Sequence, residues 1–467
     1  MTVATTRLRK PTSLPRSVGD GPRWIRPAAW LSLPDITGQQ RFVGLHRIDV
    51  DGNFVALSAQ GNYTVDWGDG TTNNYANGAT AYKQYDYTTI SSTGESTLGY
   101  RQVIIQVYPQ AGQNLVALSL QARHNQAGLN SNYATGWLDI AINGANVSSL
   151  NIGGAVVHGY LQQATITSSV QPSLASLFFN CLALQSVQGL NTAGVTNMTS
   201  MFNNCYSLQY APFLNTSSVT NMTQMFINCY SLIYVPLYNT ASVTNMTGMF
   251  NACYSLASVP LLNTSAATTT TQMFLNCYSL TSVPAFNTGA ATDMSRMFQN
   301  CFSLQTVPLL NTANATSMSQ MFSGCSALTS VPAFNMASAS NISNMFSGCT
   351  ELTTIPTFGT SAATNVSTMF NACSSLVSVP AINVSAVTTG NFANMFASCP
   401  SLASCGMTGI NQTISFLNCK LSAAQINAIF NNLSASGSGK TITVTGNYGA
   451  ASCTTSIATA KGWTVAT

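Results

Sequence analysis

An α/β repeat solenoid preceded by a small all-β sandwich domain is the fold this sequence predicts, and three observations predict it. Cys181, Cys205, Cys229, Cys253, Cys277, Cys301, Cys325, Cys349 and Cys373 recur every 24 residues, and Cys399 follows after 26 because TTGNF adds two. The text around each cysteine is nearly fixed, as in VTNMTQMFINCYSLIYVPLYNT over residues 219–240. Upstream, YTVDWGDGTTNNY from residue 63 lacks that period and carries hairpin chemistry, with glycines available for positive φ between alternating strands.

In chain order, residues 1–35 hold six of the fifteen basic residues, several prolines and little apolar text, so they read as an extended basic arm that cannot build a core. Within it Arg23, Trp24, Arg26 and Trp30, with Leu31 and Leu33, form an aromatic-plus-arginine cluster of the kind that anchors protein interfaces. The arm is therefore expected to dock on another protein of a larger particle. A truncation starting at residue 36 is expected to fold normally and to fail to incorporate.

Residues 36–110 read as the β-sandwich. The text YTVDWGDGTTNNY, then YKQYDY, then GYRQVIIQVYP, resembles a PKD-type module, a family that uses this Asp-Gly turn structurally. Residues 111–176, with WLDIAI and VSSLNIGG but no clean period, read as an N-terminal solenoid cap.

In each unit of the array Met222, Met225, Phe226, Cys229 and Leu232 fall at steps of three, one, three and three, the spacing of one face of a short helix. Thr220 and Asn221 offer side-chain oxygens to its first N–H groups. Leu232 to Pro236 reads as a strand closed by proline, and Asn239-Thr240 as the turn. One rung is thus expected to be helix, strand and turn. Ten such rungs at about 4.8 Å would span about 45–50 Å.

The MFxxCxxLxxVPxxNTxxVTNM unit resembles the BspA-like leucine-rich repeats of bacterial surface proteins, which also occur in phage structural proteins. The resemblance spans about residues 177–406 and implies a leucine-rich-repeat-like solenoid with a binding or scaffolding role. It brings no catalytic residues. At Cys405-Gly406, where Val-Pro is expected, the array ends, and residues 407–467 read as a C-terminal cap with a helix near 421–433 and a strand in GSGKTITVTGN.

Charge narrows the function. Asp, Glu, Lys and Arg make up 6% of the chain, and from residue 140 onward only Asp293, Glu351, Arg296, Lys420, Lys440 and Lys461 are charged. Phosphate neutralisation needs clustered cations, so nucleic-acid partners are not expected. No uninterrupted run of about 18 apolar residues occurs, so no membrane insertion is expected. The first residues lack the apolar stretch of a secretory signal, which points away from classical export.

His46, His124 and His158 are scattered, no nucleophile–base–acid spacing appears, and no enzyme, cofactor or metal is expected. Asp66 and Asp69, or Asp49 and Asp51, supply no EF-hand set of ligands and read as turn residues, with a contribution to calcium binding as the rival. The cysteine ladder reads as buried reduced thiols, with pairing between rungs as the rival.

The candidate binding residues follow each cysteine: Tyr206, Tyr230, Tyr254, Tyr278 and Phe302, joined by Tyr210 and Tyr234. Two readings stand. The aromatic column contacts a sugar or protein partner, or its rings stack on one another and stiffen the array. The expected function is a bacteriophage virion structural protein, a tail or collar fibre or similar appendage contacting the host surface. It would be present in many copies and held to other virion proteins by its arm. A capsid decoration protein anchored by that arm and a bacterial cell-surface adhesin are the alternatives.

Overall fold

A computed structural model describes residues 24–50, 53–92, 95–96, 98–122, 135–168, 173–387, 392 and 394–467. Arg23, Asp51, His124 and most of the TTGNF insertion lie outside the described residues.

A run of eleven strands opens the fold. β1 (Arg41–Ile48), β2 (Phe54–Gln60), β3 (Tyr63–Asp66), β4 (Thr72–Tyr75), β5 (Thr80–Gln84) and β6 (Arg101–Pro109) are followed by β7 (Ala117–Ser119), β8 (Trp137–Gly144), β9 (Ser149–Asn151), β10 (Gln163–Ser168) and β11 (Ser186–Gln188). A seven-stranded sheet runs β11-β10-β8-β1-β6-β3-β4, and a four-stranded sheet runs β5-β2-β7-β9. Between them lie Phe42, Tyr63, Trp67 and Trp137, all fully buried.

The Asp-Gly turn is structural in detail. Asp66 accepts from the Gly68 N–H at 3.0 Å, and Asp69 accepts from Thr71 and pairs with Lys83. Gly68 has φ +74°, and a Cβ there would meet the Ile104 carbonyl at 2.4 Å, so both conformation and space demand glycine.

Residues 111–176 serve both bodies. β7 and β9 complete the smaller sheet, while β8 pairs antiparallel with β1 and parallel with β10. In that parallel pair Gln163 lies opposite Asp139, an offset of 24 residues, so the coil's period begins inside the sandwich.

The arm departs from expectation. Over residues 24–35 it folds back onto the outer face of the larger sheet, where Trp30 is buried against Leu45, Tyr100 and Leu138. The Arg26 Nε donates to Asp139 at 2.9 Å, and its other nitrogens donate to the Trp30 and Leu31 carbonyls. Trp24 packs on Trp30 with ring centroids 5.9 Å apart. The side chains read as an anchor for another protein thus bind this chain's own sheet, because that face carries an apolar patch with a buried carboxylate beside it.

The rungs correct the α/β reading: the array is a β-solenoid of about 13 turns with little helix. In the segment expected as helix, N–H groups alternate in their use. Those of Met225, Ile227 and Cys229 close tight turns onto Met222, Gln224 and Phe226, while those of Met222, Gln224, Phe226 and Asn228 reach carbonyls of the next rung at 2.8–3.1 Å. Gln224 and Asn228 adopt φ of 54° and 61°, which ends each turn before a helix can form. A helix would hold its donors inside and leave none for the neighbour. Met222, Met225, Phe226, Cys229 and Leu232 are nevertheless all fully buried, because a string of such turns shares the spacing of a helical face. The strand expected at Leu232–Pro236 shrinks to a bridge between Tyr210 and Tyr234, since proline removes the next donor.

Polar residues lock each rung to the next. Asn221 caps a local turn by accepting from Thr223 at 2.9 Å. Buried Thr216 and Thr240 donate to the carbonyls of Asn239 and Asn263, which explains the recurring Asn-Thr. Inside, parallel phenylalanine rings from Phe178 to Phe416 stack at 5.0–5.9 Å. The coil also continues past the expected cap boundary. β12 (Ser378–Val379) and β13 (Ser404–Cys405) pair, and then β14 (Ile414–Ser415), β15 (Thr441–Thr443) and β16 (Thr464–Ala466) pair in parallel, with two helices, Ala423–Asn431 and the short Ser456–Thr459, laid between them in sequence.

Two outcomes follow from this packing. Phe274 lies 5.6 Å from both Phe250 and Phe298, so Phe274→Ala should cost about 3–5 kcal/mol in urea denaturation through the cavity it opens. Truncation at residue 36 should no longer fold as the full chain does. It uncovers Leu45, Tyr100 and Leu138, and Trp30→Ala alone should cost about 3 kcal/mol by the same measurement.

Candidate interaction face

The backbone places one aromatic column outside the core. From Cys205 to Cys399 each ladder cysteine points inward and its Sγ donates to the carbonyl of the phenylalanine one rung back, as Cys229 does to Phe202 at 3.2 Å. The following residue therefore faces out. Ser231, Ser255, Ser279 and Ser303 donate their N–H groups to the carbonyls of Tyr206, Tyr230, Tyr254 and Tyr278, which hold successive rungs in register at that column.

The rings superpose. Tyr206, Tyr230, Tyr254, Tyr278 and Phe302 stack with centroids 4.5, 4.7, 4.5 and 4.8 Å apart and planes within 21°. Inside the column each ring face is covered by its neighbour, so Tyr230, Tyr254 and Tyr278 present edges and hydroxyls to solvent. Partial burial, together with the adjacent phenols, raises the Tyr230 and Tyr278 hydroxyls above the usual tyrosine range. Tyr210 and Tyr234 tilt against each other at 6.5 Å and do not join the stack.

Beside this column the structure adds residues that the sequence reading missed. Phe213, Leu237, Leu261 and Leu309 are 70, 70, 60 and 65% exposed, and Ile233 and Tyr234 are partly exposed between them and the stack. The residue after each rung's proline takes this outer position. In Leu261-Leu262 only the second leucine is buried, so the place directly after the proline, and not the residue type, marks the outer one. No Asp, Glu, Lys or Arg occurs between residues 140 and 292, so the first rungs of this face carry no charge.

Other candidate chemistry is accounted for locally. Burial pushes the His46 imidazole down to about 3 and His158 down to about 4, so both stay neutral near pH 7 inside the sandwich. His158 Nε2 lies 2.8 Å from the Ile152 carbonyl. Among the described residues no group of three or more His, Cys, Asp or Glu side chains converges as a metal site. No helix of the described residues is long and apolar enough to cross a membrane. Arg26 and Trp30 belong to the sandwich contact, as does Trp24, and none of them joins the face.

Comparison with known proteins gives a family. A family model described as "Mycoplasma protein of unknown function, DUF285" matches residues 172–283, 212–307, 233–331 and 292–410, together just over half of the chain. No curated protein matches. Among solved structures, a chain of the TLR13–ssRNA13 complex is similar at 12% identity over 65% of each chain, with a TM-score of 0.21. The plant peptide hormone receptor RGFR1 in complex with RGF2 is similar at 9% identity over 66% of this chain and 68% of that one, with a TM-score of 0.19. The chain spans about 65% of the length of the first of these. At such TM-scores neither likeness carries an argument. The repeat family and the coil together identify a leucine-rich-repeat-like solenoid.

All thirteen cysteines are free, and twelve are buried. Burial drives the ladder thiols far above their usual range, and at Cys399 to about 11. A thiolate-seeking aromatic disulfide reagent at neutral pH should therefore modify at most the partly exposed Cys453 in the native protein, and all thirteen after denaturation. Rapid native labelling of several thiols would show that the ladder is not where the fold puts it.

Proposed function

We propose, on the premise that this chain belongs to the repeat family described as "Mycoplasma protein of unknown function, DUF285", that it is a non-enzymatic surface solenoid holding a partner on one charge-poor apolar face. The observation that carries this is the exposed line of Phe213, Leu237, Leu261 and Leu309 beside the tyrosine edges. Exposed apolar side chains in contiguous rows mark contact surfaces, whereas scattered ones do not. The scarcity of charge sets the mode of contact: association here owes little to ionic strength and much to apolar burial.

The setting we propose is an appendage of a bacteriophage virion, a tail or collar fibre contacting the host surface. The likeness of its repeats to those of phage structural proteins supports this. The sandwich at the base of the coil is read as PKD-like on its DWGDG turn. Because residues 24–35 are already engaged by the sandwich, attachment to the particle is assigned to surfaces outside that contact. The family's description as a Mycoplasma protein favours a second setting, a bacterial cell, where we place the chain as a surface adhesin. Gold-labelled antibody on purified particles and on whole cells distinguishes the two.

Leu237→Glu combined with Leu261→Glu tests the face itself. Both side chains are mostly in solvent, so the melting temperature should hardly change, while binding of labelled protein to its target surface should fall about tenfold or more. Binding at the wild-type level in a folded double variant would remove this face from the function.

A further inference from the structure

The aromatic column stops in an informative way. Phe302 has Tyr278 stacked on one side at 4.8 Å, and among the described residues no ring covers its other side. The next rungs place Ser326, Thr350 and Ser374 in the column position, so the stack ends above a step of small side chains. Phe302 is 44% exposed, more than any tyrosine of the stack. It is also the one member without a hydroxyl, so its free face is wholly apolar.

The step is polar and already oriented. The Ser326 hydroxyl donates to the Phe302 carbonyl at 3.3 Å, Thr350 to Ser326 at 3.1 Å, and Ser374 to Thr350 at 3.2 Å. Their protons are therefore committed to the backbone, and their remaining lone pairs accept. Beside Thr350 stands Glu351, exposed and without a side-chain partner among the described residues, on a solenoid where charge is scarce. Nothing in the packing requires a carboxylate there. The combination is one apolar ring face, a row of hydroxyl acceptors and one carboxylate acceptor within three rungs.

We propose that this step is a sugar-binding position, in which one neutral pyranose ring continues the stack on Phe302 above Ser326 and donates its hydroxyls to the step and to Glu351. A pyranose presents C–H groups on one face and hydroxyl donors around its rim, which is the complement of this arrangement. Inside the column no sugar can stack, because each ring face is occupied. Recognition therefore belongs to the end of the column and not to its length. The inference deepens the partner-binding reading by naming a ligand class, and it stands on different residues from the leucine line.

Saturation-transfer difference NMR with galactose, glucose, mannose and N-acetylglucosamine, each at millimolar concentration, tests it. At least one should receive saturation on its ring protons, with a Kd on the order of millimolar, as expected for a single sugar on one ring. Phe302→Ser should reduce the signal about tenfold, Phe302→Tyr should retain it, and Glu351→Gln should weaken it severalfold. Ser326→Leu supplies the control for folding: position 326 lies outside the core, so the variant should melt like the wild type while its aliphatic side chain covers the open ring face of Phe302 and abolishes the signal. Silence of all four sugars with the wild-type chain overturns the proposal, as does a signal that survives both Phe302→Ser and Ser326→Leu. Saturation of a tryptophan-containing peptide in place of the sugars would overturn it in favour of a protein partner. The leucine-line variants remain an independent test, so failure here leaves that face standing.

Discussion

Everything in the array depends on where alternate backbone N–H groups go. In each rung every second donor of the Met-to-Asn segment leaves its own turn and reaches a carbonyl one rung on. That one choice sets the pitch, forbids the helix and presses the phenylalanine rings into a single stack. The same ladder sets the outer rings at 4.5–4.8 Å, close to the ordinary spacing of paired strands. Core and surface columns are thus two readings of one hydrogen-bond pattern.

Buried polar groups make the pattern specific. Asparagines at positive φ hand a hydrogen bond from rung to rung, as Asn228 does to Asn204 and Asn204 to Asn180 at 2.8 and 2.6 Å. Ala252 breaks this chain of amides while keeping φ at 59°. The phenylalanine carbonyls take two donors each: Phe202 accepts the Cys205 N–H within its rung and the Cys229 thiol from the next. Cysteine suits the site because it is small and apolar and still supplies a weak donor. Its conservation along the array is a packing fact and implies no redox chemistry.

The period and the inward residues were legible from the sequence, because the Phe226, Cys229 and Leu232 positions keep their residue type from rung to rung and the Met222 position departs from methionine only at Thr270, Ile342 and Val366 between Met198 and Val366. Their backbone was not, since a 3-1-3-3 apolar spacing fits a helix and a chain of turns equally. The deciding positions, Gln224 and Asn228, carry positive φ, and only asparagine advertises that tolerance. Trp24 and Trp30 were readable as anchors, but their target depends on Asp139, 113 residues from Arg26, a separation no local pattern reports. The aromatic column was visible in the text. That its inner faces are mutually covered, with the outer face of Phe302 left above a step of small side chains, needed the rungs to be stacked.

The interchangeability of the rungs has a genetic consequence. Because each phenylalanine meets its neighbours at nearly the same distance, loss or duplication of 24 codons joins equivalent surfaces and leaves no mismatched seam. Unequal recombination within such a gene changes the reach of the protein in steps of one pitch while each intermediate still folds. A duplication among the tyrosine-bearing units would move the open end of the stack outward without altering its chemistry, and one among the serine-bearing units would lengthen the coil beyond it. Length and the position of the open end are therefore separately heritable traits.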